Sequence, residues 1–202
     1  MKNLILVALV FLAIHPALRL ASAQDGSLEG RVLFQGKEER GKSADVVVYL
    51  EGGEAADARP EGPVPVLSQK DITYVPHVLP VQAGSEVEID NEDEILHNVH
   101  AFAELNESFN VAQIAHMKFR RTFYRPEIVH VGCDIHSQMS AYIVVLRTPY
   151  FTKPGKDGRF AIRGVPPGRY TLRAWHEKSG TITVGEVEIA AGRPGERDVD
   201  FE

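Results

Sequence analysis

Short runs of β-branched and aromatic residues, separated by Gly, Pro, Asp and Asn, fill the chain after residue 23. Such runs predict strands joined by turns, because these side chains suit a pleated surface while Gly, Pro and Asp interrupt it. Helical periodicity is weak, and only residues 103–117 fit either a short helix or a long loop. Many short strands with turn signals between them are typical of β-sandwiches and barrels, so we predict an all-β fold. The predicted strands are Ser27–Phe34, Asp45–Glu51, Ile72–Tyr74, Val78–Val81, Glu86–Asp90, Asn98–Phe102, Lys118–Phe123, Glu127–Val131, Ala141–Arg147, Arg159–Arg163, Tyr170–Trp175, Val184–Ile189 and Asp198–Phe201.

The first 23 residues have the features of a secretory signal peptide. Lys2 precedes an apolar stretch from Leu4 to Ile14, and Ala21-Ser22-Ala23 forms a small-residue cleavage site. An uncleaved N-terminal anchor is the alternative, but a bilayer span needs about 20 apolar residues. We expect a mature chain that begins near Gln24, is exported to the periplasm or secreted, and has no transmembrane segment after cleavage.

The single cysteine, Cys133, is unusual for an exported protein because it has no partner for an internal disulfide. A thiol in an oxidising compartment is a liability unless it is buried or bound. Cys133 is therefore either a small buried apolar residue or a ligand, and its neighbours favour the second interpretation.

Cys133, His136 and Met139 recur at intervals of three residues. On a helix they would share one face, but the flanking segments Glu127–Val131 and Ala141–Val145 both have the composition of strands. The three residues therefore lie on a tight loop between two strands. Such a loop can direct a thiolate, an imidazole and a thioether at one centre.

The donor types indicate which metal would bind. A thiolate with two imidazoles and a weak thioether is the ligand set of blue copper, whereas zinc prefers four strong ligands or a bound water. The second imidazole must come from elsewhere, and the segment Asp90–His100 supplies it. These residues predict one type 1 copper ion as the cofactor.

The central region, residues 66–147, resembles a cupredoxin of the plastocyanin and amicyanin kind. The motifs that carry the resemblance are Tyr74-Val75-Pro76, Ala83-Gly84, Asp90-Asn91, His97-Asn98-Val99 and the spacing Cys133-x-x-His136-x-x-Met139. The resemblance implies an eight-stranded Greek-key β-sandwich that transfers electrons, with His97, Cys133, His136 and Met139 as copper ligands. It also implies that Asn98 links the two ligand loops. Ile135 stands where amicyanin-like loops often carry Pro.

The flanking segments, residues 27–51 and 148–202, resemble a second kind of module. Asp157-Gly158-Arg159-Phe160 and Pro167-Gly168-Arg169-Tyr170-Thr171-Leu172 are similar to motifs of carboxypeptidase-regulatory-like or CnaB-like domains, which are small prealbumin-like β-sandwiches. Loop-like compositions at Gly52–Pro65 and Thr148–Gly158 separate these segments from the centre. We expect the cupredoxin unit to be inserted into this outer sandwich; alternatively, residues 27–51 pair with the central unit.

The expected function is single-electron transfer between redox partners of cytochrome or dehydrogenase type, without enzymatic activity. With 28 acidic and 22 basic residues, the chain has a net charge of −6, which argues against a nucleic-acid partner and favours one with a basic patch. One alternative is a carbohydrate-binding, cell-surface or structural module with an accessory cupredoxin unit. Another is periplasmic copper handling.

The remaining histidines are expected to be ordinary polar or partly buried residues. His100 and His130 each lie three residues from an expected ligand, an offset that points to the opposite face of a strand. Trp175-His176 is expected to be a packing tryptophan beside a solvated histidine, although a position near the copper-site mouth is the alternative. His77, His116 and His176 lack partners at metal-ligand spacing.

Overall fold

The computed structural model describes residues 24–35, 45–53 and 60–201. The secondary-structure elements of these residues are all β-strands. The all-β prediction is confirmed. No helix in this part of the chain is long and apolar enough to cross a membrane. The predicted signal peptide, residues 1–23, lies outside the described residues. The strands are β1 Gly26–Phe34, β2 Val47–Glu51, β3 Val66–Lys70, β4 Thr73–Val75, β5 Val78–Gln82, β6 Ser85–Asn91, β7 His97–Phe102, β8 Phe109–Gln113, β9 Lys118–Phe123, β10 Glu127–Gly132, β11 Ser140–Leu146, β12 Phe151–Thr152, β13 Arg159–Val165, β14 Gly168–His176, β15 Gly180–Ile189, β16 Pro194–Glu196 and β17 Val199–Phe201.

These strands form four sheets. Sheet I has the order β13-β1-β16, with β17 also on β1, and sheet II has the order β12-β2-β14-β15. Sheet III has the order β5-β11-β10-β7-β8, and sheet IV the order β4-β3-β6-β9. Three buried apolar clusters lie between successive sheets, from I to IV. Sheets I and II form an outer sandwich, and sheets III and IV form a central sandwich.

The pairing of the first two strands bears on the expected domain organisation. β1 pairs with β13, β16 and β17, and β2 pairs with β12 and β14, so both join strands from residues 151–201. Sheets III and IV are built from strands between Val66 and Leu146. This pairing supports the proposal that residues 66–147 are inserted between the two segments of the outer sandwich.

Two local predictions need correction. Within residues 103–117, expected to be a short helix or a loop, the structure has strand β8, which pairs with β7 over five residue pairs from His97–Gln113 to Ala101–Phe109. The segment Phe-Asn-Val-Ala-Gln is too short and mixed to give a clear strand signal on its own, and its pairing with β7 determines its conformation. Ile72, expected to begin a strand, lies with Asp71 in the β3–β4 turn at positive φ, 56° and 52° respectively.

Sheets II and III meet in a dry interface, which we call the seam. It consists of Val47, Tyr49, Val78, Val144, Leu146 and Trp175. Alternate residues of a strand face opposite sides, so Val46, Val48 and Leu50 enter the outer core while Val47 and Tyr49 enter the seam. Burial on both faces explains why residues 46–50 form an unbroken apolar run. The seam fixes the two sandwiches to each other through side-chain packing.

The seam predicts the effect of a single truncation. Leu146→Ala should lower the free energy of unfolding by about 2–5 kcal/mol, because it removes a side chain that is 5% exposed and leaves a cavity. Leu105→Ala is the matched control; this side chain is 58% exposed, and its loss should change stability by less than about 0.5 kcal/mol. Urea unfolding of both variants measures the difference, and equal values would contradict a packed seam.

Candidate metal centre

Three of the four predicted ligands converge at one end of the central sandwich. The donor atoms of His97, Cys133 and His136 all lie within 4.8 Å of one another. His97 Nδ1 is 3.0 Å from His136 Nδ1, and Cys133 Sγ is 3.9 Å from the same His136 nitrogen. His97 is fully buried and Cys133 is 6% exposed, while His136 is partly exposed. A thiol and two imidazoles therefore share a small, largely buried space.

His97 is placed by the loop that connects β6 to β7. The Asn91 side chain holds this loop, because its amide nitrogen donates to the carbonyls of Ile95 and Gln113, at 2.9 Å each. Its Oδ1 accepts the backbone N–H of Asp93 at 3.0 Å. The loop is thus braced on both sides immediately before His97 begins β7.

Cys133 and His136 lie on the short loop between β10 and β11, as the sequence predicts. The Met139 backbone N–H donates to the His136 carbonyl at 3.0 Å and closes the loop. Met139 is 2% exposed and packs in the same apolar cluster as Cys133. Its side chain is therefore buried in the central core, and its role as the fourth ligand stays a prediction.

Asn98 joins the two loops that carry the cluster. Its Oδ1 accepts the Asp134 backbone N–H at 2.7 Å and lies 3.3 Å from Cys133 Sγ. Its Nδ2 donates to Asp134 Oδ2 at 3.0 Å. Tyr74 adds a second link, because its hydroxyl lies 3.0 Å from the carbonyl oxygens of both Asn98 and Gly132. Such supporting hydrogen bonds restrain the orientation of ligand side chains.

Asp93 supports a predicted ligand, and the sequence did not predict this contact. His97 Nε2 lies 2.8 Å from Asp93 Oδ2, so a proton on Nε2 donates to the carboxylate and leaves Nδ1 free to bind a metal. The carboxylate also accepts the backbone N–H groups of Asp71, at 2.7 Å, and Ile72, at 3.0 Å. Partial burial raises the pKa of Asp93, but these amide donors and His97 outweigh it and lower the pKa below its usual value. The acidic run Asp90–Glu94 contains no signal that singles out Asp93.

Asp134, next to Cys133, belongs to a polar network on the outer side of the site. His100 Nδ1 lies 3.0 Å from its Oδ1, and Asn110 Nδ2 donates to its Oδ2 at 2.7 Å. Hydrogen bonds from His100 and Asn110 lower the pKa of Asp134. An ionised carboxylate therefore sits one residue from the thiol.

The other histidines have partners of their own. His100 pairs with Asp134, His130 Nε2 lies 3.0 Å from Ser140 Oγ, and His116 pairs with Glu94. The expected solvated position of His176 is wrong: its ring is fully buried in the outer sandwich, 5.3 Å from that of Phe34. The alternation of β14 sends His176 into the outer core and Trp175 into the seam.

The donor set fits a transition metal that accepts both soft and borderline ligands. A thiolate suits Cu(I), Zn(II) or Fe–S chemistry, and imidazoles suit copper and zinc, so the two donor types together select copper or zinc. Among the described residues, this is the only group of three or more His, Cys, Asp or Glu side chains with donor atoms close enough to hold an ion.

No protein-family model and no curated protein matches this chain. Among solved structures, a copper-containing nitrite reductase (NirK) from Thermus scotoductus SA-01 is 24% identical at a TM-score of 0.39, covering 45% of this chain and 24% of its own. A purple cupredoxin from Nitrosopumilus maritimus is 17% identical at a TM-score of 0.36, covering 41% of this chain and 99% of its own. A reduced amicyanin variant is 21% identical at a TM-score of 0.39, covering 49% and 98% respectively. The chain thus spans about a quarter of the reductase.

The contact between His97 and Asp93 yields a prediction. Asp93→Ala should weaken the binding of Co(II) or Cu(II) about 10- to 100-fold, because the imidazole loses the group that fixes its orientation and tautomer. Glu94→Ala is the matched control, since the neighbouring side chain is 85% exposed and pairs with His116, which is not one of the predicted ligands. Competition titration with a chelator measures both affinities. Equal affinities in the two variants would rule out a supporting role for Asp93.

Proposed function

We propose that the protein is a periplasmic type 1 copper protein that binds one copper ion and carries single electrons. The observation that supports this most directly is the buried thiol of Cys133 beside the facing Nδ1 atoms of His97 and His136. His97, Cys133 and His136 would be the strong ligands and Met139 the weak axial one. The ion, when bound, supplies a one-electron couple between Cu(I) and Cu(II).

The surroundings of the cluster suit electron transfer because they restrain its geometry. Asp93 holds the Nε2 side of the His97 ring by a hydrogen bond, and Asn98 and Tyr74 link the segments that carry the proposed ligands. A site whose side chains are held in place changes little between oxidation states, so the reorganisation that accompanies electron transfer is small. Four protein ligands would also leave no open position for a substrate, which distinguishes a carrier from a copper enzyme.

The surface at the site suits a transient redox complex. Ile95, Leu96 and Ile135, which flank the two histidines in sequence, are 43%, 48% and 49% exposed, and His136 itself is partly exposed. Weak electron-transfer complexes bury little area, so a small apolar patch suffices. The acidic balance of the chain favours a cytochrome- or dehydrogenase-type partner with a basic patch.

The wider organisation belongs to the same proposal. Residues 1–23 would direct export and be removed, residues 66–147 would form the cupredoxin unit, and residues 27–51 with 148–202 would form a prealbumin-like sandwich around its insertion point. The pairing of β1 with β13 and of β2 with β14 supports the grouping of residues 27–51 with residues 148–202. Export to an oxidising compartment is compatible with a lone thiol that is buried and bound to metal.

The metal assignment is tested by visible spectroscopy of the mature protein with Cu(II). The wild type should show an intense thiolate-to-copper absorption that a reductant bleaches, and Cys133→Ser should abolish it because the thiolate is lost. Met139→Leu should keep the band and raise the reduction potential, since a weak donor is removed. Ser137→Ala, an exposed position on the same loop, is the control and should leave both unchanged. A colourless wild type in excess copper would contradict the proposal.

Asp134 provides a separate prediction about the reduction potential. Asp134→Asn should raise the potential by tens of millivolts, because removing a negative charge beside the thiolate makes Cu(II) less favourable; the partial exposure of the carboxylate limits the effect. Glu104→Gln, an exposed acidic position outside both ligand loops, is the control. Protein-film voltammetry at fixed ionic strength compares the variants, and an unchanged potential in Asp134→Asn would remove the electrostatic role.

A further inference from the structure

A row of aromatic rings crosses the outer face of sheet III, on the side opposite the central core. The rings of His100 and Phe102 stack with their centroids 3.9 Å apart, and those of Phe102 and His130 stack at 5.5 Å. His130 is followed by Tyr142 at 5.4 Å, and Tyr142 by Trp175 of the outer sandwich at 5.2 Å. We call these five residues the ring row. Each separation lies within or below the usual range of ring pairs in contact.

The ring row begins against both chain neighbours of Cys133. A Cβ atom built on Gly132 would lie 3.7 Å from His130 Cε1 and 3.8 Å from Phe102 Cε2, so these two rings cover the residue before the thiol. His100 is hydrogen-bonded to Asp134, the residue after it. The row therefore lies beside the two residues that flank the thiol, and its rings are not members of the ligand cluster.

The other end of the row lies at the seam between the two sandwiches. Trp175 is 4% exposed and packs among the seam residues. Beside it, the ring of His77 meets that of Tyr142 edge-on at 5.7 Å, and its Nε2 lies 2.8 Å from the carboxylate of Glu177 in the outer sandwich. The row thus ends in residues that the outer sandwich itself contributes.

We propose that the ring row is a second route for single electrons, which connects the Cys133 side of the metal site to the seam. It rests on the proposed function and adds to it a port remote from the His136 surface. One electron passes from the reduced site to an external one-electron acceptor of haem or copper class; copper goes from Cu(I) to Cu(II), the acceptor is reduced by one electron, and no bond or proton is exchanged. Contacting π-systems couple donor and acceptor better than saturated side chains with gaps between them.

The side chains in the row are compatible with this role. Burial, together with the nearby His100 and His77, lowers the pKa of His130, so its ring is neutral at neutral pH and places no charge along the route. Phe102 and Tyr142 are partly exposed rather than part of a closed core, so either can be changed without leaving a large cavity. Packing alone does not require five aromatic rings to contact one another in a continuous row across four strands.

The test uses a ruthenium photosensitiser attached to the reduced, copper-loaded protein at Ser179→Cys. This position is exposed, lies in the turn between β14 and β15, and is two residues before Thr181, the residue of β15 that pairs with Trp175. Light and a soluble acceptor oxidise the label, and the return electron is followed as the blue band appears. Tyr142→Leu should slow this rate roughly tenfold or more, because the missing ring opens gaps on both sides. Tyr142→Phe keeps the ring and should leave the rate unchanged. With the same label at Ile114→Cys, near His97, the rate should be the same whether or not Tyr142 is replaced by Leu.

Two further readouts separate the outcomes. In copper-free protein, the oxidised label should take one electron from Trp175 and give a transient tryptophan radical that Trp175→Phe removes. Phe102→Leu should repeat the slowing in loaded protein, whereas Phe102→Tyr should not. Equal rates for Tyr142→Leu and Tyr142→Phe in a blue protein would overturn the route alone. A protein that binds no copper would overturn both the route and the proposed function.

Discussion

The pairing of β7 with β10 is the contact on which the candidate site depends. Its register sets Val131 opposite Ala101 and Gly132 opposite His100, which brings the start of one strand beside the end of the other. His97 and the loop after Gly132 therefore meet at one end of these two strands, in the interior of sheet III. Because side chains alternate along a strand, a slip of one residue would turn the ligands out of the core and the apolar residues into water.

The same register explains why both faces of these strands carry chemistry. Val99, Ala101 and Val131 fill the central core on the inner face, next to the ligand cluster. His100 and His130 occupy the outer face, where they meet Phe102 instead of a metal. An offset of three residues thus separates a predicted ligand from a ring-row residue, and one strand pair positions both the cluster and part of the row.

The all-β fold class and three residues of the candidate site, His97, Cys133 and His136, could be predicted from the sequence, because the relevant signals are local. Cys133 and His136 are flanked on both sides by strand-like segments, which indicates that they lie on a connecting loop. Hydrophobic alternation predicts most of the strands. β8 escaped prediction because its identity as a strand depends on pairing with β7, a contact distant in sequence. Asp93 escaped for the same reason: its role depends on the turn at Asp71 and Ile72, and on a histidine nitrogen that sequence alone cannot orient.

The turn that binds Asp93 shows how strain and support balance near the site. Ile72 has a φ of 56°, a conformation that β-branched residues rarely adopt and that costs of order 1–3 kcal/mol. Its N–H and that of Asp71 both donate to the Asp93 carboxylate, and charge-assisted hydrogen bonds of this kind are stronger than neutral ones. The carboxylate therefore stabilises an unfavourable turn and orients His97 at the same time. Loosening the turn would remove the support of the imidazole, so the geometry of the candidate metal centre depends on a backbone conformation in sheet IV as well as on its own strands in sheet III.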